Sequence, residues 1–199
     1  GGVVDDCADF EGTDDYTVAA DSDDFSFTDG ATDLPFSVSF WLNVDTVPVS
    51  GTWILSKRLA SSTTEEYQIT FNSSTFQVLL ASQGSTNSYL YATFPYTPTT
   101  GGTTWEHFTV TYDGSETFSG IKAYINGVSQ TLTDLSAGTY LGMANGTKPI
   151  NIGSQSWSPL NGEFDGKMDE FHVWKNRELT QAEVTDIYTT ELGGTSILP

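Results

Sequence analysis

Apolar and polar residues alternate along much of this chain. The run Phe36-Ser37-Val38-Ser39-Phe40-Trp41-Leu42-Asn43-Val44 does so, as do residues 66–71 and 108–112. A period of two, carried by aromatic and β-branched side chains, predicts strands with one buried face. The dipeptides Asp29-Gly30, Asp113-Gly114, Asn126-Gly127 and Asn161-Gly162 punctuate these runs as turns. Asn126-Gly127, set between Tyr124-Ile125 and Val128, predicts a two-residue hairpin. One helix is predicted near the C-terminus. Thr180-Gln181-Ala182-Glu183 reads as a capping box, with Leu179 and Val184 placed for a hydrophobic staple. Val184, Ile187 and Tyr188 share a face, and Gly193-Gly194 ends the segment. Short strands without intervening helices predict an all-β fold, a two-sheet antiparallel jelly-roll sandwich. The short helix is expected to close one edge of it. No linker or repeat divides the chain, so a single domain is expected over residues 1–199.

Several segments, in order, resemble the laminin-G-like jelly roll of the concanavalin A-like lectin/glucanase superfamily. Phe10-Glu11-Gly12-Thr13-Asp14-Asp15-Tyr16-Thr17-Val18 is similar to its opening "F-D-G-x-D-D-Y-V". Pro35-Phe36-Ser37-Val38-Ser39-Phe40-Trp41-Leu42 resembles "P-F-T-I-S-A-W-V". Trp105-Glu106-His107-Phe108-Thr109-Val110-Thr111-Tyr112-Asp113-Gly114 resembles "W-H-H-V-A-V-T-Y-D-G", and Tyr124-Ile125-Asn126-Gly127 resembles "Y-V-N-G". Phe164-Asp165-Gly166-Lys167-Met168-Asp169-Glu170-Phe171-His172-Val173-Trp174 is similar to "F-x-G-x-I-D-E-V-R-I-Y", and Leu179-Thr180-Gln181-Ala182-Glu183-Val184 to "L-S-x-x-E-I". Each block is weak alone; their order makes a specific fold signal. One such fold hosts many functions.

Charge narrows the choice of partner. The 199 residues hold 26 acidic and 7 basic side chains, a formal charge of -19. Such a surface disfavours phosphate contacts, so nucleic acid and anionic membranes are not expected partners. No apolar run is long enough to span a bilayer. No signal peptide is visible, and the opening Gly1-Gly2-Val3 reads as a mature or excised domain. Acidity with Ser, Thr and Gly richness fits an extracellular, virion-surface or cell-surface setting, or solubility alone. The single Cys7 supports no disulfide framework and is expected as a small buried hydrophobe.

Candidate chemistry follows from these patterns. Of the acidic residues, 11 fall between Asp5 and Asp33. Such crowding repels itself unless it is spread out or bridged by a cation. The resemblance implies a structural calcium joining first and last strands, held by the Gly12 carbonyl, the Asp169 side chain and Asp14. Asp169 sits in an otherwise apolar strand, so its carboxylate needs a partner. Backbone amides, Lys167 or Arg177 are the alternatives to calcium. The resemblance also raises the glucanases, whose "E-x-D-x-E" strand places catalytic carboxylates on one face. The nearest match, Glu163-Phe164-Asp165-Gly166-Lys167, has lysine where the third acid belongs, so no enzyme is expected. His107 and His172 read as solvated or structurally bonded.

Sugar recognition needs aromatic faces beside amide and hydroxyl edges. The candidates are Tyr67, Asn87, Tyr89, Tyr91, Gln155 and Trp157, with Tyr89 and Tyr91 sharing a strand face. Trp157 lies in a Gly/Ser/Pro-rich loop and reads equally as a ligand contact or as cover for a sheet edge. Trp41, Trp53, Trp105 and Trp174 are expected in the core. These features predict a non-catalytic, calcium-assisted module for a cell-surface or matrix carbohydrate, within an adhesin or virion protein. The alternative is a decoration or assembly domain held by contacts with other virion or adhesin proteins.

Overall fold

A computed structural model describes residues 1–47, 51–57, 66–155 and 162–197. Its strands are β1 (Ala8–Glu11), β2 (Thr17–Ala19), β3 (Phe36–Thr46), β4 (Thr52–Lys57), β5 (Tyr67–Phe71), β6 (Thr75–Ala81) and β7 (Tyr89–Pro95). There follow β8 (Trp105–Tyr112), β9 (Ile121–Ile125), β10 (Val128–Ser129), β11 (Thr133–Asp134), β12 (Ile150–Ile152) and β13 (Asp165–Lys175), then the helix α1 (Gln181–Leu192). They form a six-stranded sheet, β1-β13-β3-β8-β9-β10, and a seven-stranded sheet, β11-β7-β6-β5-β4-β12-β2. All pairings are antiparallel. The all-β jelly-roll sandwich expected from the alternation is the fold observed.

The inner faces of the two sheets meet in one core. Phe36, Val38, Phe40, Phe108 and Val110 come from the six-stranded sheet, and Ile69, Phe71, Phe76, Val78 and Leu80 from the other. Phe76 stacks on Phe108 at 5.1 Å across the two layers, and Phe27, in the segment before β3, stacks on Phe36 at 4.1 Å. Each fully buried phenylalanine contributes about 1.5–3 kcal/mol by leaving water. The predicted hairpin joins β9 to β10. Asn126 and Gly127 both take positive φ, 50° and 75°, as the tight two-residue turn requires.

The capping box forms as expected. The Glu183 amide donates to the Thr180 hydroxyl, and the Thr180 amide donates to the Glu183 carboxylate. The helix position differs from expectation. It lies over the outer face of the six-stranded sheet rather than at an edge. Val184, Ile187 and Leu179 pack on Tyr124 there, beside Trp174. The cause is a second apolar stripe on that sheet's outer face, which a helix must cover.

Of the tryptophans expected in the core, Trp41 is fully buried and the other three are not. None of Trp41, Trp53, Trp105 and Trp174 belongs to the core between the sheets. Trp41 is buried beneath α1, with its ring against Tyr188 at 5.6 Å. Trp53, Trp105 and Trp174 are half-buried. Cys7 is free and half-buried, not enclosed. Among the described residues no helix is long and apolar enough to cross a membrane.

Candidate functional site

Strand alternation builds an outward face on the seven-stranded sheet. Tyr67, Ile69 and Phe71 of β5 enter the core, so Gln68 and Thr70 point to the sheet's other face, where 8% and 6% of each is exposed. Cross-strand register extends each into a row. One row runs Val18, Asn151, Ser56, Gln68, Leu79, Tyr91. The next runs Trp53, Thr70, Gln77, Thr93, Thr133. Tyr89 lies beside Tyr91 on the same face, their rings edge to face at 6.1 Å. Burial beside Tyr89 pushes the Tyr91 phenol up from its ordinary pKa, so it stays a neutral hydroxyl.

These rows carry aromatic, amide, hydroxyl and aliphatic side chains and no charged one. On a chain of charge -19 that is a selective composition. A polar depression of about 160 Å³ lies in the second row, lined by Gly51, Thr52, Trp53, Gln68, Thr70, Asn72 and Gln77. The Thr70 hydroxyl donates to the Gln77 amide oxygen at 3.0 Å, which orients the floor. Gly162 seats the tryptophan. Its carbonyl accepts from the Trp53 amide at 2.9 Å, and a Cβ there would stand 2.9 Å from the indole.

The expected sugar-contact residues divide. Tyr89 and Tyr91 reach this face, and Asn87 is exposed just before β7. Tyr67 does not: it is buried in the core, stacked on Phe27, with its hydroxyl donating to the Phe25 carbonyl at 2.8 Å. Period two sends it inward and its neighbour Gln68 outward. Gln155 is also buried, its carbonyl accepting from Ser154 and Asn151. Trp157 lies outside the described residues. Trp53, Gln68, Thr70 and Gln77 are the positions missed. Gln68 and Thr70 were readable from the strand pattern. Trp53 was hidden by a bulge between Trp53 and Leu55, which turns both Ile54 and Leu55 to the core.

The calcium set is not assembled. On β13, Asp165 pairs with Glu11 and Met168 with Ala8. Gly12 therefore lies against Asp165, where its Cβ would meet the Asp165 side chain at 2.7 Å. Asp169 is four residues farther along, about 13 Å away at strand spacing. Its oxygens already accept from the amides of Val3 (2.6 Å), Val4 (3.2 Å) and Glu170 (2.9 Å). Asp14 is exposed, and among the described residues its carboxylate meets the adjacent Thr13 hydroxyl, at 3.3 Å. These residues do not fit a shared calcium ion. The backbone-amide alternative for Asp169 is the arrangement observed.

The glucanase-like segment is engaged in local contacts. Asp165 accepts from the Thr46 hydroxyl, and Lys167 lies 3.8 Å from Asp9. Of the two alternatives for the histidines, solvation does not hold, since both lie buried beneath α1; His172 is structurally bonded, to Glu170 and Glu191.

A family model described as the concanavalin A-like lectin/glucanases superfamily (Laminin_G_3) matches residues 11–185. The chain belongs to this superfamily. Solved structures of the same fold include the binding domain of Paraclostridial Mosquitocidal Protein 1. It is 14% identical, with a TM-score of 0.64, covering 92% of this chain and 42% of that one. The botulinum neurotoxin serotype D binding domain is 17% identical at a TM-score of 0.64, covering 92% and 41%. The botulinum neurotoxin type G receptor binding domain is 16% identical at 0.54, covering 93% and 46%. The superfamily member described here thus spans less than half the length of those chains. No curated protein matches it by sequence.

Proposed function

We propose that this domain is a non-catalytic recognition module that binds carbohydrate on the outer face of its seven-stranded sheet, in an extracellular or surface setting. The carrying observation is the uncharged aromatic, amide and hydroxyl rows on an otherwise acidic molecule. Sugars present apolar C–H faces and many hydroxyls. Trp53, Tyr89 and Tyr91 supply rings for the former. Gln77 and Asn72, which line the depression and are partly exposed, supply donors and acceptors for the latter, with Gln68, Thr70 and Thr93 largely buried behind them. Receptor-binding domains among the solved structures of this fold support a binding rather than a catalytic role. The absence of a third acid after Glu163 and Asp165 points the same way. A glycan array probed with the full chain tests the reading. Binding to a restricted glycan set, weakened by Trp53→Ala and by Tyr91→Ala, is expected. Silence across the array, or equal binding by both variants, would count against it.

A second reading is an assembly domain docking other virion or adhesin proteins. It draws on Leu135 and Leu141, 50% and 58% exposed in the segment that follows β11, where the Leu135 amide donates to the Tyr91 carbonyl. Self-association of the chain that Leu141→Ser abolishes, without glycan binding, would favour it.

A further inference from the structure

We propose that Glu170, His172 and Glu191, backed by His107, bind a divalent transition metal, with zinc the best match, that fastens α1 to the six-stranded sheet. This rests on the opposite face from the carbohydrate proposal and does not depend on it. Glu191 stands in the last turn of α1 with no solvent exposure. His172 lies on β13, and Glu170 lies at the bulge before it. The His172 Nε2 atom is 2.9 Å from Glu191 Oε1 and 3.2 Å from Glu170 Oε2. One ring nitrogen carries at most one proton, so it can donate to only one of them.

Charge sharpens the point. Among the described residues no lysine or arginine pairs with either carboxylate. Even with His172 protonated, one negative charge stays uncompensated in a buried place, which is costly. A divalent cation with neutral imidazole balances both carboxylates. The donor atoms of the three residues lie within 4.8 Å of one another. Zinc bonds of about 2.0–2.2 Å place neighbouring tetrahedral donors roughly 3.4 Å apart, close to the spacings found. Mixed imidazole and carboxylate donors suit zinc better than calcium, which takes oxygen alone.

His107 adds an independent observation. Its ring is fully buried, neither nitrogen has a hydrogen-bond partner, and Nε2 points to Glu191 Oε2 from 3.7 Å. A neutral imidazole offers one nitrogen lone pair. It stands as a fourth donor or as an acceptor for a metal-bound water. Outer partners already orient the carboxylates. Trp41 Nε1 donates to Glu191 Oε2 at 2.7 Å, and the Ser196 hydroxyl donates to Glu170 Oε2 at 2.8 Å.

The test uses the untagged full chain, stripped with chelator and titrated with zinc, cobalt or calcium. Expected are one zinc per chain, a raised melting temperature with zinc and not with calcium, and a tetrahedral cobalt absorption spectrum. Glu170→Gln is the decisive variant, since Glu170 is the partly exposed ligand and its loss leaves the buried packing in place. It should weaken zinc by at least about 10-fold, the lower bound for losing even an outer-shell partner, and abolish the cobalt bands. No saturable zinc binding by the wild-type chain, or zinc binding unchanged in Glu170→Gln, overturns the proposal.

Discussion

Tyr67 and Gln68 are neighbours in the chain and opposites in the fold. Either can contact a sugar by chemistry; strand parity puts Tyr67 in the core and Gln68 on the outer face, where it is 8% exposed. The sequence pattern contained that parity, since Tyr67, Ile69 and Phe71 share the buried face. Trp53 was less legible, because a bulge breaks the alternation inside β4 and no local residue announces it. Its seat gives a residue-level prediction. Gly162 has a φ of 73° and no room for a Cβ, so Gly162→Ala should displace the indole and mimic Trp53→Ala in glycan binding. Tryptophan fluorescence would register the displacement. Asp169 carries a second prediction. Its carboxylate secures the amides of Val3, Val4 and Glu170, so Asp169→Ala should lower unfolding stability by about 1–3 kcal/mol. Urea denaturation should show the same loss with and without added calcium; a loss seen only with calcium would restore the ion.

At the scale of elements, α1 shows what local signals determine and what they leave open. Capping box, staple and terminating glycines were all written in residues 179–194. Thr180→Ala should cost about 1 kcal/mol in chemical denaturation. Hydrogen bonding from the Thr180 amide, then Arg177, lowers the Glu183 carboxyl to about 2. Its folded pKa lies below the unfolded value, so its support is complete above pH 4.5 and fades as pH falls toward 2. A pH titration of helix content should show that fading, and Glu183→Gln should remove it. The docking site of the helix was not local. Glu191 shares the buried face of Val184 and Ile187, a hint in the sequence, but its partners Trp41, His107 and His172 lie on three separate strands. Only the assembled sheet brings them together.

At the scale of the molecule, the fold was legible because ordered blocks and strand alternation agree over nearly the whole chain. The site was legible only in part. Tyr89 and Tyr91 followed from one strand, whereas the rows joining β2, β12, β4, β5, β6, β7 and β11 depend on non-local register. The crowded N-terminal acids also changed meaning. They do not converge on Asp169, and the charge-free sheet face is the more informative departure from the average of -19. The most direct measurement of carbohydrate binding at this face is a calorimetric titration of the full chain with its strongest array glycan, repeated on Trp53→Ala. Saturable one-site binding is expected, weakened by the substitution by at least about tenfold, or about 1.4 kcal/mol. Undiminished binding by a folded Trp53→Ala protein would contradict it.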